Sequence, residues 1–329
     1  MEKINLSEVC QRYRARVIHI TPLNDCHLLE TNRGPKELRI WPRVDIMRWS
    51  FAWRERMVRQ GFRDLERFIR TKDSKPYLVV GQRGITLTDH LRRIESIPLG
   101  TDTMRQCGKI VAMMHESQRD GSIFHPADFW EREQARMAAT TRRVKDFWES
   151  LRYRGRQSGR DHRFYSWLFP PLLERMERCT DMLLSTRIDQ KELFVSHGTL
   201  RSDNWGLVND KLFLRGFFQP VLSVAQRDTA GYLRDLFVRH EDLSLIEAFL
   251  SGYEEIRPLG QTDYTLLLAF MAYPEEISHM VQSSIEVYRE PGEARLARIE
   301  QAVNRQQMVD QLLKYIAERA EETRSESKA

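Results

Sequence analysis

A chain of 329 residues that is 41% hydrophobic and 30% charged has an ordinary globular composition, long enough for two domains or one large bilobal one. Its formal net charge of +5 permits an acidic partner without demanding one. The four cysteines (Cys10, Cys26, Cys107 and Cys179) form no C-x-x-C pair and the nine histidines show no metal-ligand spacing, so reduced thiols are expected, with neither a disulfide framework nor a metal site.

The opening "MEKINLSEVCQRYR" carries charge where a secretory signal would be apolar, so no leader is expected. The first ninety residues then read as strands. "RVIHITPL" is one, and "CHLLETNRGPKELRIW" is a hairpin bending at Asn32-Arg33-Gly34-Pro35. A helix is predicted from about Asp45 to Gln60, with Ile46, Trp49, Trp53 and Met57 on its apolar face. The Trp49–Trp53 pair could stack a base, but core packing is the favoured reading. "KPYLVVGQRGITL" reads as a second hairpin turning at Gly81 to Gly84. After Asp89 the pattern becomes helical. Thr101 can cap a helix whose face is Met104, Cys107, Val111 and Met114, with His115 a structural residue near its end. Further helices are predicted at 127–150, 163–184, 227–239, 243–256, 262–272, 274–287 and 293–317. The apolar run Thr265 to Tyr273 is too short to span a bilayer and reads as a core helix, so no membrane contact is expected. "AERAEETRSESKA" reads as a solvated tail. The domains are therefore expected at 1–89, 90–316 and, as a charged tail, 317–329.

One strand-like patch interrupts the helices: "ELFVSHG", a loop, "WGLVND" and "KLFLRGF". Its segment "SHGTLRSDNWGLV" has the spacing of a phosphotransferase catalytic loop of the aminoglycoside and choline kinase type. That pattern is His-Gly-Asp, four residues, then Asn. Here His197, Gly198 and Asn204 are in place, but the acid is Thr199. Phosphoryl transfer needs the phosphates held, magnesium placed and the acceptor hydroxyl oriented by a carboxylate. Twelve residues past Asn204, where a second metal-binding Asp belongs, stands Gly216-Phe217-Phe218. The strand "KELRIW" offers Arg39 where a Lys is expected, and Glu55 on the next helix could pair with it, as a relic nucleotide clamp or a plain surface ion pair. No glycine-rich stretch precedes that strand. Losing a positioned general base costs roughly 10²–10⁴ in rate. Thr199 cannot take up a proton at neutral pH, and Asp203 is the weak substitute. His197 in such loops organises backbone. Asp228 matches a buried acid that in this fold hydrogen-bonds to the loop.

The order of these segments resembles the CotS-type spore coat proteins, a branch of the aminoglycoside-phosphotransferase-like kinase superfamily found in endospore-forming bacteria. "LLETNRGPKELRIW" is similar to that family's first hairpin and Lys strand, and "RTKDSKPYLVV" to its Thr-x-Asp-x-x-Pro-Tyr segment. "CGKIVAMMHESQRDGSIF" resembles its His-containing helix end with Asp120-Gly121 shifted, and "LLLAFMAYPEEI" its late Leu-rich helix. The likeness runs from about Arg12 to Ile316. It implies an α+β, bilobal protein-kinase-like fold with a small β-rich lobe and a large helical lobe. It also implies a mother-cell cytoplasmic protein associated with the spore coat, with coat proteins as partners.

The departures at Arg39, Thr199 and Gly216 fall on chemistry. The sequence therefore reads as a pseudokinase serving as a coat scaffold, with no cofactor and poor Mg-ATP binding. An active phosphotransferase with rewired ligands is the alternative. A third reading is a basic nucleic-acid-binding module using "RYRGRQSGRDHRFY", whose five arginines are interleaved with aromatics; a plain interhelical loop is favoured there.

Overall fold

A computed structural model of the chain describes residues 5–91, 94–117, 129–154, 160–188, 193–280 and 293–326. Its first half holds α1 (Leu6–Gln11), β1 (Val17–Pro22), β2 (His27–Thr31), β3 (Lys36–Trp41), α2 (Val44–Arg59), β4 (Leu78–Val80), β5 (Arg83–Asp89) and α3 (Thr101–Glu116). The second half holds α4 (Phe129–Arg154), α5 (Arg160–Ser185), β6 (Leu193–Ser196), β7 (Trp205–Val208), β8 (Lys211–Leu214), β9 (Val221–Val224), α6 (Ala225–His240), α7 (Leu243–Glu254), α8 (Gln261–Ala272) and α9 (Glu293–Glu326).

The chain divides into two compact units, and the break is not at residue 89. The first unit comprises Met1–Ser122, Phe194–Leu222 and Ser251–Arg257. Its five strands form an antiparallel sheet in the order β1-β2-β3-β5-β4. Gly34 supplies the positive φ (+81°) of the first hairpin bend. The second hairpin turns on Gly81-Gln82 alone, because Val80 pairs with Arg83; Gly84 already lies in β5. Helix α2 buries Met47, Ser50, Trp53, Arg54 and Met57. Of the expected face, Trp53 and Met57 are buried as read, while Ile46 and Trp49 are only half-buried and Met47, Ser50 and Arg54 take the inner positions instead. Trp53 is a core residue whose Nε1 donates to Met114 O (3.3 Å). Thr101 is the first helical residue of α3 and Gly100 the cap position. His115 is buried and pairs through Nδ1 with the Tyr253 hydroxyl (2.8 Å). These contacts bring α3 and the end of α7 into the same unit as the sheet.

The second unit comprises Ile123–Leu193, Ser223–Leu250 and Pro258–Ala329. Helices α4 and α5 pair through stacked Trp148 and Phe169 rings, 5.2 Å apart, and against α8, whose Leu266 and Ala269 enter the same core. The expected core helix at 265–273 is therefore present. Of the helix expected at 274–287, residues 275–280 are helical and the rest lies outside the described residues. The charged end is not a tail: α9 runs through Glu326, Ala320 is buried, and Arg319 pairs with Glu247 (2.6 Å). Glu318, Glu321, Glu322 and Arg324 are exposed on a helix that also buries Ile316 and Ala320, a distinction composition alone does not make. All four cysteines are buried thiols. Among the described residues, no helix is long and apolar enough to cross a membrane.

Gly252 marks a close approach to backbone in the first unit, since a Cβ there would lie 2.0 Å from Arg105 O. Backbone cannot swing aside as a side chain can. Gly252→Ala should lose about 1–3 kcal/mol of unfolding free energy in urea; a change inside about 0.5 kcal/mol would show that the helices can part without cost.

Candidate functional site

The loop after β6 is built from backbone contacts. His197 is fully buried; its Nε2 lies 3.1 Å from Arg215 O, and its Nδ1 lies 3.4 Å from both the amide and the hydroxyl of Thr199. A proton on Nε2 satisfies both sides, with the ring donating to Arg215 and accepting from Thr199. The ring packs against Phe217 (4.9 Å) and Trp53 (6.2 Å). Gly198 follows with φ +82°, and a Cβ there would strike Gln219 O at 2.4 Å. The glycine of the motif is thus required twice, by conformation and by the close approach of 219.

Asn204 closes a short 3₁₀ turn, Ser202–Asn204. Its Oδ1 accepts from the Arg201 amide (2.7 Å). Its carbonyl accepts from the Arg215 amide (3.0 Å), which leads into the β7–β8 hairpin. That hairpin turns on Asn209-Asp210, both at positive φ, as a two-residue primed turn demands. Thr199 and Asp203 are exposed; the Asp203 carbonyl accepts from the Arg215 guanidinium (3.1 and 3.3 Å). Gly216 has φ +90°, and a Cβ on it would lie 2.4 Å from Asn204 Nδ2. The space where a side chain would begin is taken by the Asn204 amide.

Strand β8 leaves the hairpin beside residues 64–66. Leu214 N donates to Asp64 O (3.1 Å), and the Gly216 amide donates to Glu66 Oε2 (3.1 Å). Glu66 in turn faces Arg54 (3.6 Å), whose side chain is 1% exposed. Arg54 donates to the carbonyls of Glu66 (2.8 Å), Phe217 (3.1 Å) and Ser50 (3.2 Å), and also bonds the Ser50 hydroxyl. Ser50 Oγ donates to Phe217 O as well (2.6 Å). Burial pulls the Arg54 pKa down to about 10, so it stays charged at neutral pH. Burial pushes the Glu66 carboxyl up, against the opposing pull of Arg54 and the Gly216 amide.

The two phenylalanines after Gly216 finish the site. Phe217 is buried against Trp53, ring centroids 3.9 Å apart. Phe218 packs on Trp41 (5.8 Å) and lies 3.7 Å from the Arg39 guanidinium. Arg39 also donates to Asp25 O (3.2 Å) and faces the Asp25 carboxylate (4.0 Å). The expected Arg39–Glu55 pair does not form: Glu55 pairs with Arg67 (3.3 Å) and Arg70 (3.9 Å). Glu55 lies one residue round the helix from Arg54, which holds the inward position. Asp228 is buried in the first turn of α6, in the other compact unit. Asp120, Gly121 and residues 155–159 of the arginine-rich segment lie outside the described residues; Arg152 and Tyr153 beside them are exposed.

Thus the structure gathers His197, Thr199, Asn204 and Gly216 and places Arg39 on Phe218. The pair that organises them, Arg54 with Glu66, escaped the sequence reading. For Arg54 a signal existed: positions 47, 50, 54 and 57 follow the spacing of a buried helix face, and an arginine there needs a buried partner. For Glu66, twelve residues on in an irregular stretch, there was none.

A family profile described as "Spore coat putative kinase YutH" matches residues 44–317. The chain belongs to that family. The match covers α2, the loop and most of α9 but starts after the hairpin carrying Arg39, so the resemblance of "LLETNRGPKELRIW" falls outside it. No curated protein sequence matches the chain. Among solved structures it is similar to an aminoglycoside phosphotransferase from Alicyclobacillus acidocaldarius: TM-score 0.77, 14% identity, 98% of each chain covered. It is also similar to a spectinomycin phosphotransferase in complex with ADP and spectinomycin: TM-score 0.62, 12% identity, 96% of this chain and 97% of that one. An amicoumacin kinase in complex with AMP-PNP follows at TM-score 0.61 and 12% identity, over 93% and 92%. At such identities the likeness establishes the kinase-like fold, which, with the spore-coat family, is what the sequence led us to expect.

Replacing Arg54 by Met strands Glu66, which should cost about 3–5 kcal/mol at neutral pH. The folded variant would then hold a proton on Glu66 at a pH where the unfolded chain, with its carboxyl near about 4.3, does not. Stability should therefore rise as pH falls from about 7 toward about 5, and Glu66→Gln in the same background should recover part of the loss. Urea titrations at several pH values measure this; a pH-independent loss would show that Glu66 is not the stranded charge.

Proposed function

We propose that this protein is a pseudokinase, made in the mother-cell cytoplasm, that serves the coat of the bacterial endospore as a structural or scaffold component. The observation that carries the reading is at Gly216. The position that would hold a metal-binding carboxylate has no side chain, and the Asn204 amide stands 2.4 Å from where one would start. Asn204 is itself committed to the Arg201 amide. Arg39, the strand cation, is stacked on Phe218 and tied to Asp25. Glu66, which accepts from the Gly216 amide, faces a buried arginine. These residues do not fit a magnesium–nucleotide: the cation would meet amide and guanidinium groups in place of carboxylates. Spore-coat family membership supports the coat role, and the positive net charge supports acidic coat proteins as partners.

A second reading, a phosphotransferase with rewired ligands, is favoured by the exposure of Asp203 at the loop tip and by the family's description as a kinase. Thermal-shift titration separates the two. The melting temperature should be unmoved by Mg-ATP. A rise of several degrees that needs both metal and nucleotide, or labelled phosphate transfer to coat extract that vanishes in Asp203→Ala, would overturn the inert reading.

A further inference from the structure

The second compact unit contains a small cavity of about 90 Å³ that plays no part in the loop site. Helices α4, α6 and α8 and the helical stretch at 275–280 enclose it. Its charged lining is Arg136, Arg227 and Arg234 against Glu133 and Glu275, with His279 at the rim. Cations exceed carboxylates there before His279 is counted.

Glu133 is already fully engaged. It accepts from Arg136 Nε (3.0 Å) and Nη2 (2.6 Å) and from Arg227 Nη1 (2.9 Å). Burial would raise its carboxyl, but the two arginines outweigh burial and hold it below the usual range. It is therefore a fixed anion that orients two guanidinium groups. Glu275 is held more loosely, 3.4 Å from Arg227 Nη2 and 3.8 Å from His279. A guanidinium carries five N–H donors. Arg136 and Arg227 each direct two of theirs at these carboxylates, leaving donors for a further acceptor.

Gly231 adds an independent observation. It lies inside α6 and lines the cavity, and a Cβ built on it meets nothing within 4 Å. Neither conformation nor packing asks for glycine there, although glycine in a helix interior is less stable than alanine. Its effect is to keep the cavity open. Met137 and Phe270 supply an apolar wall beside the charges. The cavity has room for a few waters or for one carboxylate on a short stem.

We propose that this cavity binds a single oxyanion, a carboxylate or phosphate group, held by the guanidinium groups that Glu133 orients. The group can arrive on an acidic side chain of a partner polypeptide or as a free small anion. Calorimetry on the full chain at constant ionic strength, with inorganic phosphate, glutarate and a hexaglutamate peptide as probes, distinguishes these sources. Tighter peptide binding assigns the site to a polypeptide; tighter phosphate or glutarate binding assigns it to a free anion. Gly231→Leu should fill the cavity and weaken the best probe at least ten-fold without lowering the melting temperature. Should that variant fail to fold, Gly231→Ala, which adds one methyl into open space, should melt no lower than the parent and bind several-fold more weakly. No saturable binding of any probe by the parent, or equal affinity in the glycine variants, overturns the proposal.

Discussion

The buried guanidinium of Arg54 is the contact on which the loop site depends. A cation removed from water in this way costs several kcal/mol unless its hydrogen bonds are replaced. Here three backbone carbonyls, a hydroxyl and a carboxylate replace them. The acceptors come from three separate stretches of chain: α2 itself, the segment after it, and the turn following β8. One side chain therefore locks together pieces far apart in sequence. Glu66 extends the lock by taking the Gly216 amide. Together they fix the backbone at 216–217.

The rest of the site follows from that lock. With the Phe217 carbonyl tied to Ser50 and Arg54, its ring is set against Trp53 and His197, and the next residue carries its ring onto Arg39. His197 needs both its ring nitrogens to bridge Arg215 and Thr199. In this structure the side chains of His197 and Asn204 contact backbone, at Arg215 and Arg201. Asn204, which the motif would place on a metal, is kept, whereas Arg39, Thr199 and Gly216 depart from the motif. Those three departures underlie the inert reading proposed for this member of the spore-coat family.

The second unit follows a different logic. Its helices bury an aromatic and aliphatic core, and charged residues that line a polar cavity beside α6 are held in a defined arrangement by Glu133. The long α9 shows how composition misleads at a helix edge. Arg319 reads as part of a solvated run, yet it crosses to Glu247 and the Tyr264 hydroxyl, and Ala320 beside it is buried.

Local rules determined much of this protein. Alternation and turn residues located both hairpins, helical spacing located α2 through α8 to within a few residues and the start of α9 but not its end, and the order of motifs around His197 and Asn204 pointed to the kinase-like fold and spore-coat family. All of these depend on neighbours in the chain or on spacing, which a string of residues displays. What the tertiary structure alone decided is which charge faces which. Arg54 rather than Glu55 turned inward, Arg39 met Phe218, and Glu66 reached Gly216 across 150 residues. A one-residue rotation of a helix or a contact between distant segments leaves no local periodicity, because it is chosen by the energy of burying the whole set of groups together.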